Sequence, residues 1–182
     1  MHLVPASAFQ TQPWKNGGGL THEIAREELD GHLLWRLSIA EVASDGPFSA
    51  FPGLARILTV IEGAGLRLDT PDGALDALPF APVHFSGDLP VTSRRIDGPI
   101  RDINVIHDPE RIAASVRILD TTAPFDCPRA SGRRYALLAT GTGTCLDTTD
   151  IPAGAIGFFE QGTATSTAAP PAILVVLEQI PA

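Results

Sequence analysis

The stretch LLWRLSIA at residues 33–40 alternates between apolar and other side chains, and this alternation decides the fold. Successive side chains of a β-strand point to opposite faces, so a strand here turns the odd-numbered side chains from Trp35 to Ile39 to one face. Arg36 and Ser38 then share the other face. We predict that the first face lies in a hydrophobic core, and that the second carries a guanidinium and a hydroxyl toward solvent or the lumen of a barrel.

Similar short segments recur along the 182-residue chain, because 17 glycines and 16 prolines interrupt it and leave few windows with helical periodicity. The tripeptide Pro71-Asp72-Gly73 predicts the tight turn of a hairpin, since proline fixes φ and glycine supplies a positive φ. The chain is therefore predicted to be all-β with little helix. The further predicted strands are residues 55–62, 66–69, 100–106, 115–119, 134–140, 155–159 and 172–177.

One short helix of one or two turns is predicted at residues 108–114. Asp108 is suited to the N-cap, where its side chain accepts a hydrogen bond from a free backbone N–H group. Pro109 then occupies the first helical position, where its missing N–H group costs nothing.

The two halves of the chain follow a similar pattern. Each has a strand that ends at a Gly-x-Gly, at residues 63–65 and 141–143, and a later proline-containing turn that leads to another strand. Such a duplication predicts two packed β-sandwiches or β-barrels that share one extended core. The second half has fewer unusual polar residues, so function is expected in the first half.

The composition excludes several classes of protein. A formal net charge of -8 and a pI near 4.9 argue against nucleic-acid binding, which depends on a dense basic surface. No apolar run approaches the roughly 20 residues of a membrane helix, and the N-terminus lacks a signal-peptide pattern. We therefore expect no membrane partner and a cytoplasmic location. Cys127 and Cys145 are too few for a disulfide framework and are interpreted as core thiols.

Lys15 is the only lysine among 13 basic residues, and it precedes one of only two asparagines in the chain. It lies in the run PWKNGGG at residues 13–19, whose glycines indicate either a bulged turn before a strand or a small anion-binding nest of N–H groups. A P-loop is rejected because the lysine precedes the glycines and a strand follows them. Lys15, Asn16 and the second asparagine, Asn104, are therefore candidate site residues.

A metal site is not predicted. The five histidines include no His-x-His pair on one strand face, and the adjacent His22 and Glu23 point to opposite faces of a strand unless a bulge intervenes. No cofactor is implied. His107, near the end of the strand that carries Asp102 and Asn104, is the best single candidate for proton transfer, although such a histidine is more often a surface or core residue.

The segment GPFSAFPG at residues 46–53 puts Phe48 and Phe51 in a loop bounded by turn residues. These rings either plug the end of the barrel or form the wall of a small-molecule pocket. A nucleophilic triad is not supported, because Ser38 and Ser49 lack the Gly-x-Ser-x-Gly context of a nucleophile elbow.

Several ordered motifs within the first 110 residues carry a family resemblance. The motifs are PWKNGGGLTHEIA at residues 13–25, WRLSIA at 35–40, GPFSAFPG at 46–53, PF at 79–80 and DINV at 102–105. On these motifs the chain resembles the HutD/Ves family, whereas the C-terminal part carries no comparable motif.

The resemblance implies a cupin-like bicupin fold, in which residues 1–182 form a single unit with an N-terminal half at 1–110 and a C-terminal half at 111–182. It also implies a cytoplasmic bacterial protein that is linked with histidine utilisation or a stress response and has no firmly assigned enzyme activity. A metal-free site for a small acid, such as urocanate or formylglutamate, is a further implication.

The leading hypothesis is a metal-free bicupin, a binding protein rather than an enzyme, that binds a small carboxylate in its N-terminal half. Arg36 is expected to clamp the carboxylate because a guanidinium offers bidentate geometry, and Lys15 adds a second positive charge. Asp102 is expected to hold Arg36 or Lys15 in place. The remaining predicted ligand-binding residues are Asn16, Ser38, Phe48, Ser49, Arg56 and Asn104.

Two alternatives stay open. A metal-independent enzyme would use Lys15 or His107 as a general base on a small acid or sugar, and a buried Lys15 approached by apolar rings would favour it. A structural or partner-binding β-protein would leave the polar groups scattered instead of gathered around a cavity. A homodimer is compatible with the leading hypothesis.

Overall fold

A computed structural model describes residues 1–15, 17–120 and 123–181. Within these ranges the chain forms nineteen β-strands and one 3₁₀ turn at Ala6–Ala8. None of the described residues belongs to a helix that is long and apolar enough to span a membrane. The prediction of an all-β fold with little helix is confirmed.

The chain divides into two compact units, each with its own hydrophobic core. One unit comprises Gln10–Pro109, and the other comprises Met1–Phe9 together with Glu110–Ala182. The first residues of the chain belong to the second unit because strand β1 (His2–Val4) pairs with β17 (Ile156–Phe159). This pairing has no signal in the sequence, since the three residues of β1 are too few to show an alternating pattern.

Two antiparallel sheets make up the Gln10–Pro109 unit. Its strands are β2 (Gln10–Pro13), β3 (Gly19–Leu29), β4 (His32–Val42), β5 (Gly46–Pro47), β6 (Ala55–Glu62), β7 (Leu66–Thr70), β8 (Gly73–Ala77), β9 (Val83–Ser86), β10 (Thr92–Arg95) and β11 (Ile100–His107). The six-stranded sheet has the order β2-β3-β4-β11-β6-β9, and the four-stranded sheet has the order β5-β10-β7-β8.

The strands predicted from alternation in this unit are present. β6 covers the predicted residues without change, and β4 and β11 each extend a little beyond them. The predicted hairpin joins β7 to β8, and Gly73 adopts a φ of +128°, a value that favours glycine. Period-two alternation was therefore a sufficient guide to these elements.

The inward faces of β4, β11 and β6 change from apolar to polar along their length. Cross-strand neighbours on one face follow from the register, because side chains alternate on every strand. The polar end of this face positions the candidate site described below. From the apolar end, the rows are Val42 beside Ile100, then Asp102 between Ala40 and Val60, then Asn104 between Ser38 and Leu58, and finally Ile106 between Arg36 and Arg56.

Side chains from both sheets form the core of this unit. Burial of their apolar surface is the main favourable term for folding, at about 25 cal/mol for each Å² removed from water. The buried members are Ala40, Val42, Leu58, Val60, Leu66, Leu68, Ala77, Phe85, Val91 and Ile100.

The second unit also has two antiparallel sheets. Besides β1 and β17, its strands are β12 (Ile112–Leu119), β13 (Phe125–Cys127), β14 (Arg133–Leu138), β15 (Thr144–Leu146), β16 (Thr149–Ile151), β18 (Gly162–Ser166) and β19 (Ala172–Gln179). The sheet orders are β1-β17-β14-β19-β12 and β13-β18-β15-β16. A cluster of apolar side chains forms its core, and the hydroxyl of the buried Tyr135 donates a hydrogen bond to the backbone oxygen of Pro128 at 2.9 Å.

The short helix predicted at residues 108–114 is wrong. Residues 109–111 form a turn, and β12 begins at Ile112. β12 pairs with β19 along its whole length, from Ile112 opposite Gln179 to Leu119 opposite Ala172. The local signals at Asp108 and Pro109 also suit a turn, and sheet pairing outweighs the weak helical preference of the residues that follow.

We expect Leu58→Ala to lower the free energy of unfolding by about 2–5 kcal/mol, because it removes apolar contacts and leaves a cavity at a core position with 0% exposure. Leu75→Ala on β8 is the matched control, since Leu75 is 38% exposed. That control should change the free energy by about 0.5 kcal/mol or less. Urea unfolding of both variants measures the difference, and equal effects would contradict this description of the core.

Candidate functional site

A cavity of about 520 Å³ opens at the polar end of the inward face in the Gln10–Pro109 unit. Its size falls in the range that small-molecule sites commonly have. Of the nine residues predicted to bind a ligand, the structure brings eight to this cavity, and Asn16 lies outside the described residues. The eight are Lys15, Arg36, Ser38, Phe48, Ser49, Arg56, Asp102 and Asn104.

Three buried polar side chains form a hydrogen-bonded chain along the floor of the cavity. Arg56 Nη2 donates a hydrogen bond to Asn104 Oδ1 at 2.7 Å, and Asn104 Nδ2 donates one to Asp102 Oδ1. Arg56 has only donors and an ionised aspartate only acceptors, so these neighbours fix the orientation of the Asn104 amide between them. Asn104 thereby connects a buried cation to a buried carboxyl group.

This chain leaves two buried polar atoms without a hydrogen-bond partner, Arg56 Nε and Asp102 Oδ2. Buried polar atoms are normally paired, so each unpaired atom in a folded protein calls for an explanation. Asp102 is fully buried, with 0% exposure, and it still belongs to the cavity lining. Asp102 Oδ2, on the floor of the cavity, therefore lacks a hydrogen-bond donor.

Burial also changes the ionisation of this pair. Desolvation raises the pKa of Asp102 to about 7, and the positive charge of Arg56 opposes that rise. Desolvation lowers the pKa of Arg56 to about 10, while the charge of Asp102 raises it and that of Arg36 lowers it. Arg56 thus remains a cation at neutral pH, whereas Asp102 changes charge there.

Three phenylalanine rings surround the Arg56 guanidinium. Its Cζ atom lies 5.3 Å from the centroids of both Phe48 and Phe51 and 4.9 Å from that of Phe85. Such contacts favour a cation through the negative face of each ring. Phe48 and Phe51 line the cavity as well, so these loop rings form part of its wall.

Trp14 and Lys15 follow β2 at the edge of the cavity, and β3 begins at Gly19. The Trp14 N–H group donates to the Gly19 oxygen at 2.9 Å, and the Trp14 indole Nε1 donates to Thr21 Oγ1 at 2.8 Å. A Cβ atom at Gly19 would lie 2.2 Å from the Glu41 oxygen and 3.2 Å from the Trp14 ring. Only glycine fits that position. Lys15 itself is exposed and lines the cavity.

The prediction that Asp102 holds Arg36 or Lys15 is wrong for Arg36, because Glu23 occupies that role. Arg36 Nε donates to Glu23 Oε2 at 2.6 Å, and Asp102 hydrogen-bonds to Asn104 instead. For Lys15, no ion pair with Asp102 is present among the described residues. Glu23 could not be predicted from alternation, because β3 changes register between Glu23 and Ala25 and this irregularity sets which face each side chain takes.

Trp14 and Thr21 also line the cavity and were missed. Both lie in the motif at residues 13–25 that carries the family resemblance, and this was the only available signal. His107 is not part of this cavity. It lies on the opposite face of β11 from Asp102 and Asn104, and it lines a separate cavity of about 390 Å³ together with His84 and other residues of the same unit.

The described residues contain no group of three or more histidine, cysteine, aspartate or glutamate side chains that could hold a metal ion. His22, which lies beside Glu23 in the sequence, has hydrogen-bond partners instead. Its Nδ1 atom lies 2.8 Å from Thr11 Oγ1 and its Nε2 atom 3.0 Å from Glu41 Oε1, so both ring nitrogens already have partners.

The model of the HutD family matches residues 6–170 of this chain. The chain belongs to the HutD family. An uncharacterized 21.2 kDa protein in the hutC 3' region of Pseudomonas putida is 44% identical over 128 residues, and protein Ves of Citrobacter koseri is 36% identical over 114 residues. These matches cover 68% and 60% of this chain and 66% and 59% of the relatives. The chain thus spans less than two thirds of the length of the curated relatives it matches.

Solved structures agree with this family assignment. HutD from Pseudomonas fluorescens SBW25, solved in a formate condition, has a TM-score of 0.85 at 31% identity, and the match covers 99% of both chains. A bacterial pirin from Escherichia coli has a TM-score of 0.70 at only 7% identity and therefore shows the fold alone. The predicted resemblance of this HutD-family chain to HutD and Ves proteins is confirmed, and so is its cupin-like bicupin fold.

The raised pKa of Asp102 predicts a pH-dependent stability. The folded chain holds this proton up to about pH 7, whereas the ordinary pKa of an aspartate side chain, as in the unfolded chain, is 3.8. The folded state therefore binds more protons between these values, and the contribution of Asp102 to the free energy of unfolding falls as the pH rises through them.

Asp102→Asn should remove this contribution, because the amide does not titrate. Urea unfolding at several pH values between about 4 and 7 measures the slope of stability against pH in the wild type and the variant. Asp72→Asn, in the exposed turn between β7 and β8, is the control and should keep the wild-type slope. An unchanged slope in Asp102→Asn would contradict the assignment.

Proposed function

We propose that the cavity of the Gln10–Pro109 unit binds a small carboxylate. The single observation that carries this proposal is the convergence of three cationic side chains, Lys15, Arg36 and Arg56, on one cavity in a chain with a net charge of -8. Cationic and hydrogen-bonding groups around a concave, partly apolar space are the usual features of a site for a small anion.

Arg36 is the residue best arranged to grip the carboxylate. Glu23 accepts a hydrogen bond from its Nε atom, which orients the guanidinium, and the described residues do not bond its two Nη groups, which we assign to the ligand. Two parallel N–H groups match the two oxygens of a carboxylate. Arg36 and Glu23 are both only about a fifth exposed, at 18% and 20%, so solvent screens this pair less than a surface pair.

The other polar groups have complementary parts in this proposal. Lys15 supplies a positive charge at the edge of the cavity, where it attracts an incoming anion. Ser38 and Asn104 lie side by side on neighbouring strands and offer polar groups to orient the ligand. Phe48 contributes an apolar wall. We propose that Asn16 and Ser49 also contact the ligand.

Family membership and the cupin-like fold support a role related to histidine utilisation or to stress. One relative lies in the hutC 3' region and others are Ves proteins, which is consistent with either role. We infer that the chain moderates such a pathway by binding one of its small acids, with urocanate and formylglutamate as the leading candidates. Each of them carries a carboxylate that Arg36 would receive.

Neither alternative function gains support from a specific observation. Lys15 is exposed, which removes the rationale for a buried lysine acting as a general base, and His107 lies outside this cavity. A purely structural role predicts scattered polar groups, whereas the eight described candidates line one cavity.

Titration calorimetry with urocanate and formylglutamate tests the proposal. Arg36→Ala should weaken binding of the preferred acid by about tenfold or more, because a charge-assisted bidentate contact is lost. Arg36→Lys should weaken it as well, since an ammonium keeps the charge but not the paired N–H groups.

Arg94→Ala is the matched control, because Arg94 is an exposed arginine of the same unit that pairs with Asp69 outside the cavity. It should bind like the wild type. Equal binding by the wild type and Arg36→Ala, or no binding of either acid by the wild type, would overturn the proposal.

A further inference from the structure

The carboxyl group of Asp102 has an unusual position for an acidic residue. It lies on the floor of the cavity with 0% exposure, and its neighbours across the sheet are the apolar side chains of Ala40 and Val60. Its Oδ1 atom accepts a hydrogen bond from Asn104, and its Oδ2 atom has no partner. The described groups next to Asp102 therefore do not solvate the further negative charge that an anionic ligand would add beside an ionised Asp102.

The charged groups that face Asp102 come from three strands. Arg56 on β6 is linked to it through Asn104, and Arg36 on β4 lies two rows along the same face. Glu23 on β3 is engaged with Arg36, and it also lies 3.7 Å from Arg26, which is 55% exposed and does not line the cavity. Lys15 lies at the edge of the cavity. Arg56 and Asp102 are therefore the described titratable groups that set the net charge of the hydrogen-bonded chain on the cavity floor.

We propose that Asp102 takes up a proton when the cavity binds an anion and thereby determines how many negative charges the ligand can bring. This inference rests on the proposed function, since it concerns the same cavity. The proton comes from solvent and goes to the carboxyl group of Asp102, so no other bond changes.

A count of charges explains the selection. Lys15, Arg36 and Arg56 provide three positive charges, and Glu23 cancels one of them. When Asp102 is ionised, one positive charge is left over, which matches a monocarboxylate. When Asp102 is neutral, two are left over, which matches a dicarboxylate. A dianion therefore demands the neutral form of Asp102 more strongly than a monoanion does.

The unpartnered oxygen supports the same conclusion. An ionised Asp102 carries a negative charge that no donor to Oδ2 stabilises and that repels an anion in the cavity, whereas the neutral acid carries no such charge. Since burial already brings the pKa of Asp102 to about 7, a nearby negative charge is enough to protonate it at neutral pH. Ligand binding and proton binding then favour each other by the same factor.

Calorimetry in buffers of different ionisation enthalpy measures the number of protons taken up with each ligand. We use formylglutamate as the dianion and urocanate as the monoanion, between about pH 7.5 and pH 9, where neither probe changes its own charge. The wild type should take up close to one proton with formylglutamate and a smaller fraction with urocanate. Its affinity for formylglutamate should fall by up to about tenfold for each pH unit.

Asp102→Asn carries a permanently neutral group of the same shape. It should bind formylglutamate without proton uptake and without the dependence on pH, and its preference for formylglutamate over urocanate at pH 9 should rise by about tenfold. Asp72→Asn, an exposed control in the same unit, should keep both the proton uptake and the pH dependence of the wild type.

A second measurement does not depend on the folding of the variant. In the wild type labelled with ¹³C at aspartate carboxyl groups, the signal of Asp102 should titrate near neutral pH in the free protein and at a higher pH in the presence of formylglutamate. Absence of that upward shift, or binding without proton uptake, would overturn the role of Asp102 and leave the carboxylate site intact. Failure of both acids to bind would overturn the proposed function and, with it, this inference.

Discussion

The buried guanidinium of Arg56 is the constraint on which the arrangement of the Gln10–Pro109 unit depends. A charge removed from water is costly unless hydrogen bonds or other charges compensate it. Three phenylalanine rings, the amide of Asn104 and the carboxyl group of Asp102 provide that compensation. Each of these groups compensates the charge of one cation that lies inside a β-sandwich. The cavity lies beside them.

The alternation of strands explains why much of this site was predictable. Once residues 33–40 and 100–106 are strands, Arg36 must share a face with Ser38, and Asp102 must share one with Asn104. The antiparallel pairing of β4 with β11 then brings the two faces together, with Asn104 opposite Ser38, and this register comes from the structure. The family motifs added the expectation of a cupin-like fold and directed attention to Lys15.

Other features depend on contacts that a single sequence does not contain. The ion pair between Glu23 and Arg36 follows from a change of register in β3, and a bulge has no reliable signature in residue order. The predicted helix at residues 108–114 failed because long-range pairing of β12 with β19 decides that segment. The partner of Asp102 was misassigned for a related reason, since alternation gives the face of a side chain but not the neighbour it selects.

The single lysine of the chain has a practical consequence. Lys15 is exposed and lies on the lining of the cavity, and the remaining twelve basic residues are arginines. Amine-directed reagents therefore have one side-chain target within these 182 residues. A fluorophore attached there would sit at the entrance to the cavity without any engineered cysteine, and its emission would report directly on what enters.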